Sequence, residues 1–170
     1  MVEAVKLMAG IALVPPDGHE RALEAITTSG ELKGNPRFQP IIEALASMDN
    51  DFLTVACIQL INTIVITPDD LDFRLHLRNE FMRVGLADIL EKLARRDSVD
   101  LQLQLKVFEE HRDEDFYEFA QRFDNMRLDL DDTVECFDVL RNSVVETPSE
   151  PFLLSILQHL LFIRDDPNVK

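Results

Sequence analysis

Basic residues are scarce in this 170-residue chain: 17 Lys and Arg stand against 32 Asp and Glu, a net charge of −15. Phosphate backbones are held by Lys and Arg, so the deficit disfavours nucleic acid as a ligand. It disfavours an anionic membrane surface for the same reason. A basic partner stays open, although an acidic surface also serves solubility alone. Long apolar runs are missing too. Residues 52–66 fall short of the roughly 20 residues of a membrane span and carry amides, so no direct membrane insertion is expected. Nothing resembles a signal peptide, because Met1 leads straight into an amphipathic segment with Glu3 and Lys6. Cysteine occurs only as Cys57 and Cys136, far apart and each in an apolar helical pattern. That excludes a disulfide framework and predicts reduced, buried thiols in an intracellular protein.

Catalytic signatures are absent as well. The chain contains no GxGxxG, no phosphate-binding GxxxxGK, no GxSxG and no HExxH. His19, His76, His111 and His159 are scattered, and neither cysteine has a metal-ligand neighbour at CxxC spacing. Adjacent acids such as Asp69-Asp70 and Glu109-Glu110 read as surface charge rather than acid–base pairs. The expectation is a non-enzymatic chain without metal or cofactor.

What is present is helical periodicity. Apolar residues recur at three- and four-residue spacings and no stretch alternates with period two for long, which predicts an all-α fold. Stop signals divide the chain into helices over 2–14, 19–28 (ending at Ser29-Gly30), 38–48 with Pro40 in the first turn, and 51–66. "KGNP" (33–36) reads as a loop. Thr67-Pro68 reads as N-cap and first position of a helix over 69–84, closed by Gly85. Helices over 86–96 and from 99 to about 110 follow, the latter capped by Ser98. The acidic stretch 109–132 reads as helical through Phe123, and helices 132–146 and 150–164 complete the chain.

The helix 51–66 poses a problem: Gln59, Asn62 and Thr63 interrupt its apolar run on one face, at i, i+3 and i+4. Unpaired in a core, each amide would cost about 1–3 kcal/mol. A weak internal period offers a way out. Gly10, Leu13 and Val14, ahead of "PP", have the same i, i+3, i+4 spacing as Gln59, Asn62 and Thr63, ahead of Thr67-Pro68, and Gln104 and Gln158 sit similarly in later apolar helices. The steps from Gly10 to Gln59, Gln104 and Gln158 are 49, 45 and 54 residues. Armadillo and HEAT repeats run at roughly 40–47 residues, and in such solenoids one helix per repeat lines a concave face. The expectation is an armadillo/HEAT-like superhelix with a concave peptide-binding groove, with Gln59, Asn62 and Thr63 facing the groove rather than the core. Gly10, which costs a helix about 1 kcal/mol relative to Ala, marks either close approach of a partner or tight packing inside the domain.

From Glu109 to Asp132 there are ten acids and three arginines. Glu110, Asp113 and Glu114 share a helical face, and a cationic partner would relieve their mutual repulsion. A solvated charged face is the ordinary alternative. Following Gln104, this cluster extends the groove with a negative end.

In order along the chain, "LVPPDGHERALEAI", "RFQPIIEAL", "CIQLIN", "DFRLHLRNEFMRVGL", "LQLQLKVFEEHRDEDF" and "FLLSILQHLLFIRDD" resemble the Diaphanous-related formins. The likeness is to their armadillo-repeat Diaphanous inhibitory domain in formin homology region 3. It implies a non-catalytic regulatory domain, in the cytoplasm at the cytoskeleton and cell cortex. Its implied partner is the C-terminal autoregulatory segment of the same protein, an amphipathic leucine-rich helix trailed by basic residues. That contact restrains actin assembly until a Rho-family GTPase displaces it. Carried onto this chain, the apolar face of the helix would meet Gly10, Leu13 and Val14, then Gln59, Asn62 and Thr63, then Gln104, while Glu110 and Asp113 would meet the basic cluster. The family's GTPase-binding helices lie upstream of what would be Met1 and its dimerisation helices beyond Lys170. Residues 1–170 therefore read as one partial inhibitory domain, binding a Rho-family GTPase weakly or not at all and actin only through parts not in this chain. The alternative is an armadillo scaffold for basic peptides; such adaptors pair asparagine ladders with tryptophan, and this chain has no Trp.

Overall fold

Helix boundaries in this chain are set by a few capping side chains. The computed structural model describes residues 1–47, 50–122, 129 and 132–162, and among these every regular element is a helix. α1 (Val2–Ala12) packs against α2 (Gly18–Lys33) and α4 (Asp51–Ile66). α2 does not stop at Ser29-Gly30 as expected. Gly30 is buried where the Arg37 backbone crosses, and a Cβ there would lie 2.8 Å from the Arg37 Cα. Glycine is required for that contact, and the helix ends instead at Gly34, in the left-handed region at φ 67°.

α3 (Gln39–Ser47) follows; Met48, the expected end of this helix, lies outside the described residues. α4 has the boundaries read from sequence, with Asn50 Oδ1 accepting from the Leu53 N–H at 3.1 Å. The next boundary differs. Thr67 closes α4, its hydroxyl donating to the Thr63 carbonyl at 2.6 Å, and does not cap the following helix. Asp70 caps α5 (Leu71–Phe81), its carboxylate accepting the Phe73 N–H at 2.7 Å. A carboxylate suits the positive end of a helix better than a hydroxyl, so α5 starts later than Thr67-Pro68 suggests. A π-helical turn (Met82–Leu86), kinked at Gly85, leads into α6 (Ala87–Ala94).

α7 (Val99–Gln121) is one helix of 23 residues, joining the segment expected to end near 110 to the start of the acidic stretch. Phe123 lies outside the described residues. Asp132 caps α8 (Thr133–Val144) through the N–H groups of Val134 and Glu135. α9 (Glu150–Leu160) comes last, with the expected end at 164 again outside the described residues. No helix among the described residues is long and apolar enough to cross a membrane, and they contain no cluster of metal-ligating side chains.

The chain divides into two compact units, residues 1–119 and 120–170. In the first, α4 forms the centre: Cys57, Ile58, Ile61, Ile64 and Val65 are essentially inaccessible. Phe38 stacks on Phe81 with ring centroids 3.8 Å apart, and Leu77, Leu93, Leu101 and Phe108 close the core. In the second unit α8 and α9 pack on each other and neither contains a buried residue. Neither cysteine is in a disulfide. Burial pushes the Cys57 thiol up to about 11, whereas Cys136 is half-exposed, departing from the expected pair of buried thiols.

Polar links in the first unit carry a repeat length of their own. His19 Nε2 donates to the Ile64 carbonyl (2.8 Å), 45 residues away. Arg37 pairs bidentately with Glu80 (2.8 and 2.5 Å), 43 residues away. Asn62 reaches Gln104 across 42 residues, Arg74 reaches Asp115 across 41, and Arg96 reaches Asp51 across 45. These separations match both the Gln59-to-Gln104 step and the armadillo/HEAT length. The fold is that of an all-α helical-repeat chain.

Candidate functional site

α1, α4 and the start of α7 border an open cleft of about 590 Å³ in the first unit. Lys6 of α1, Phe52, Val55 and Gln59 of α4, and Leu103 and Gln104 of α7 form its walls. Phe52 is 75% exposed and Leu103 57%, so apolar surface meets water here beside the Lys6 ammonium, the Asp51 and Asp100 carboxylates and two amides. Each helix presents one stripe. Lys6, Gly10 and Leu13 stand at i, i+4 and i+7, and Phe52, Val55 and Gln59 at i, i+3 and i+7.

The expected groove residues divide by position. Gln59 and Gln104 line the cleft, both half-buried. Among the described residues the Gln59 side-chain amide has no hydrogen-bond partner. Gly10, Leu13 and Val14 do not line the cleft itself. Gly10 is exposed in the last turn of α1, and Leu13 and Val14 are exposed beyond its end at Ala12, short of the expected 14, Leu13 by 62% and Val14 by 58%. Gly10 has open space where a Cβ would point, with nothing within 4 Å, so tight packing inside the domain does not account for it. Thr63 is half-buried and its hydroxyl donates to the Gln59 carbonyl at 2.9 Å, within its own helix.

Asn62 corrects the expectation that all three polar residues of α4 avoid the core. It is 5% exposed, and its Nδ2 donates to the main-chain carbonyl of Gln104 at 2.9 Å and to Gln104 Oε1 at 3.2 Å. Its NH2 is partnered inside the fold because α7 brings a carbonyl to it, while its Oδ1 is buried without a hydrogen-bond partner among the described residues. One helix position separates it from Thr63, enough to turn one inward and leave the other half-open.

Glu110 and Asp113 are exposed on α7, six and nine residues past Gln104, hence roughly 9 and 14 Å further along the helix axis. Glu110 lies 3.5 Å from Lys106 and Asp113 2.8 Å from Arg112. Exposed pairs of this kind contribute little to stability, so these carboxylates remain open to another cation. Asp115, in the same acidic stretch, has a different role. It is buried, 2.8 Å from Arg74 Nε and 2.6 Å from Arg78 Nη2. The Arg78 contact is an ion pair whose angles fall short of a hydrogen bond, and the same guanidinium lies over the Phe108 ring at 5.9 Å.

A family profile described as Diaphanous FH3 Domain matches residues 19–170. The chain belongs to the Diaphanous FH3 domain family. It is 48% identical to Protein diaphanous of Drosophila melanogaster and 46% identical to human Protein diaphanous homolog 3, each over 98% of the chain. It is 33% identical to Disheveled-associated activator of morphogenesis 2 of Gallus gallus over 94% of the chain. The chain spans only 14–16% of the length of these relatives. In formins the FH3 domain is a regulatory region.

Within this FH3 domain, sequence reasoning missed Lys6, Phe52 and Leu103. The signal that could have found them is the stripe itself. Extending the Gly10 face back by four residues reaches Lys6, and extending the Gln59 face back by seven reaches Phe52. Leu103 adjoins Gln104 and lies at the mouth of the cleft.

Proposed function

We propose that this chain is the non-catalytic regulatory module of a Diaphanous-type formin and that its α1–α4–α7 face receives the C-terminal autoregulatory helix of the same protein. Engagement restrains actin filament assembly, and a Rho-family GTPase relieves it. The single observation that carries the reading is Gly10: an exposed glycine in the last turn of α1, with open space above it and exposed Leu13 and Val14 just past the helix end. An amphipathic helix laid in a groove needs a backbone it can approach closely, apolar anchors beside it and polar groups that fix register. Gly10, then Leu13 and Val14, then Gln59 and Gln104 supply these in turn. Glu110 and Asp113 face the basic residues that trail the helix.

The test is a calorimetric titration of the chain with a synthetic leucine-rich amphipathic peptide carrying a basic tail, against its scrambled version. Gly10→Asp is expected to change stability by less than about 0.5 kcal/mol, as befits an exposed site. It should weaken the peptide at least about tenfold, because the new carboxylate would be desolvated against an apolar helix face. Equal binding of the scrambled peptide, or full affinity in Gly10→Asp, would remove the partner from α1.

A further inference from the structure

The hydrogen bonds around Asn62 fix which way the Gln104 amide faces. Asn62 Nδ2 lies 2.9 Å from the Gln104 main-chain carbonyl, which can only accept, so the Asn62 group there is its NH2. The second proton of that NH2 meets the Gln104 side chain at 3.2 Å, where only Oε1 accepts. Gln104 Nε2 is therefore the atom turned away from Asn62. Asn62 is buried and Gln104 lines the cleft, so the open side of the amide is the cleft side. Among the described residues Nε2 has no hydrogen-bond partner. Gln59 differs: with no partner holding its amide, it can turn to offer either oxygen or nitrogen.

We propose that Asn62 is a positioning residue that locks Gln104 with its NH2 toward the cleft, so that the groove selects a partner presenting a hydrogen-bond acceptor there. That acceptor is either a carboxylate or a main-chain carbonyl left free at a helix end. The inference rests on the helix-binding reading above and adds the polarity of one contact to it. A donor fixed before binding costs less side-chain freedom on association. A mismatched group opposite it leaves two buried polar atoms unpaired, the arrangement that discriminates most strongly.

Gln104→Glu tests this directly. The substitution is nearly isosteric, keeps an oxygen for Asn62 Nδ2, and replaces the outward donor with an acceptor. Because the peptide is basic, an added negative charge alone would tighten binding, so a loss reports the missing donor. Expected is at least a roughly tenfold weaker Kd by calorimetry, with helicity and melting unchanged. A second peptide, with every Asp and Glu replaced by Asn and Gln, separates the two acceptors. Recovered affinity for Gln104→Glu identifies a carboxylate, and an unchanged deficit identifies a carbonyl. The positioning role is read from a double-mutant cycle. Asn62→Ala should cost affinity in the Gln104 background and markedly less in Gln104→Ala, where the main-chain bond is lost equally but there is no side chain to orient. Undiminished binding by Gln104→Glu, or equal costs in both backgrounds, would overturn the proposal. Failure of the unmodified chain to bind the peptide would instead strike the helix-binding reading on which it rests.

Discussion

On one side of α7, Asp115 is 4% exposed and gripped by Arg74 and Arg78 of α5. On another side of the same helix, Glu110 and Asp113 are exposed, with only neighbouring residues of α7 for company. Five residues separate Glu110 from Asp115, and in sequence all three belong to one acidic run. The difference lies in what the facing helix brings. α5 delivers two guanidiniums to Asp115, so its charge is consumed in holding α7 to α5. Nothing among the described residues of another helix pairs with Glu110 or Asp113. An acidic composition therefore serves two unlike ends here: a buried clasp inside the fold and a charged surface available to a ligand.

Asp115→Ala should produce the largest effect. It leaves Arg78, itself 4% exposed, without its anionic partner, and breaking a buried pair from one side typically costs about 3–5 kcal/mol. Denaturant unfolding monitored by circular dichroism is the measurement, and a loss below about 1 kcal/mol would contradict the clasp.

Asn62→Asp comes next and extends the comparison to α4. A carboxylate facing the Gln104 carbonyl would lose the donor and bury an unpaired charge, for an expected loss of a few kcal/mol. Thermal melting reads it, and an unshifted melting temperature would return Asn62 to the solvent side.

The smallest effect on stability belongs to Glu110→Lys with Asp113→Lys. Melting should hardly move, since exposed pairs contribute about 0–1 kcal/mol. Peptide affinity should fall, and the affinity of the unaltered chain should itself weaken with salt, because exposed charges are screened beyond about 8–10 Å near physiological ionic strength. Salt-independent binding that survives the double reversal would take these carboxylates out of the site.

Much of this was legible in the sequence because it is written in periodicity. The boundaries of α4, the all-helical class and the repeat step follow from spacing alone, and so does the meeting of Gln59 and Gln104 at one cleft, which Gly10 does not line. What escaped depends on partners from distant segments. Whether Asn62 or Thr63 turns inward is decided by where α7 places one carbonyl. Whether Asp115 or Asp113 is buried is decided by two arginines about forty residues earlier. Capping choices escaped for a local reason: Thr67 and Asp70 are both competent caps, and the better fit of a carboxylate to a helix N-terminus joins the path of the chain, held by Arg74 to the Pro68 and Asp69 carbonyls, in favouring Asp70.

Five polar links in the first unit, spanning 41 to 45 residues, work like rivets between successive plates. Each fastens one layer to the next and none skips a layer. Rigidity in such a stack is handed on between neighbours, without any brace running end to end. A disturbance at one layer, whether a lost rivet or a helix seated in the cleft, is felt most strongly by the adjoining layer and fades with each joint it must cross. The Asn62–Gln104 joint lies directly beneath the cleft wall, which places the site at a seam between layers.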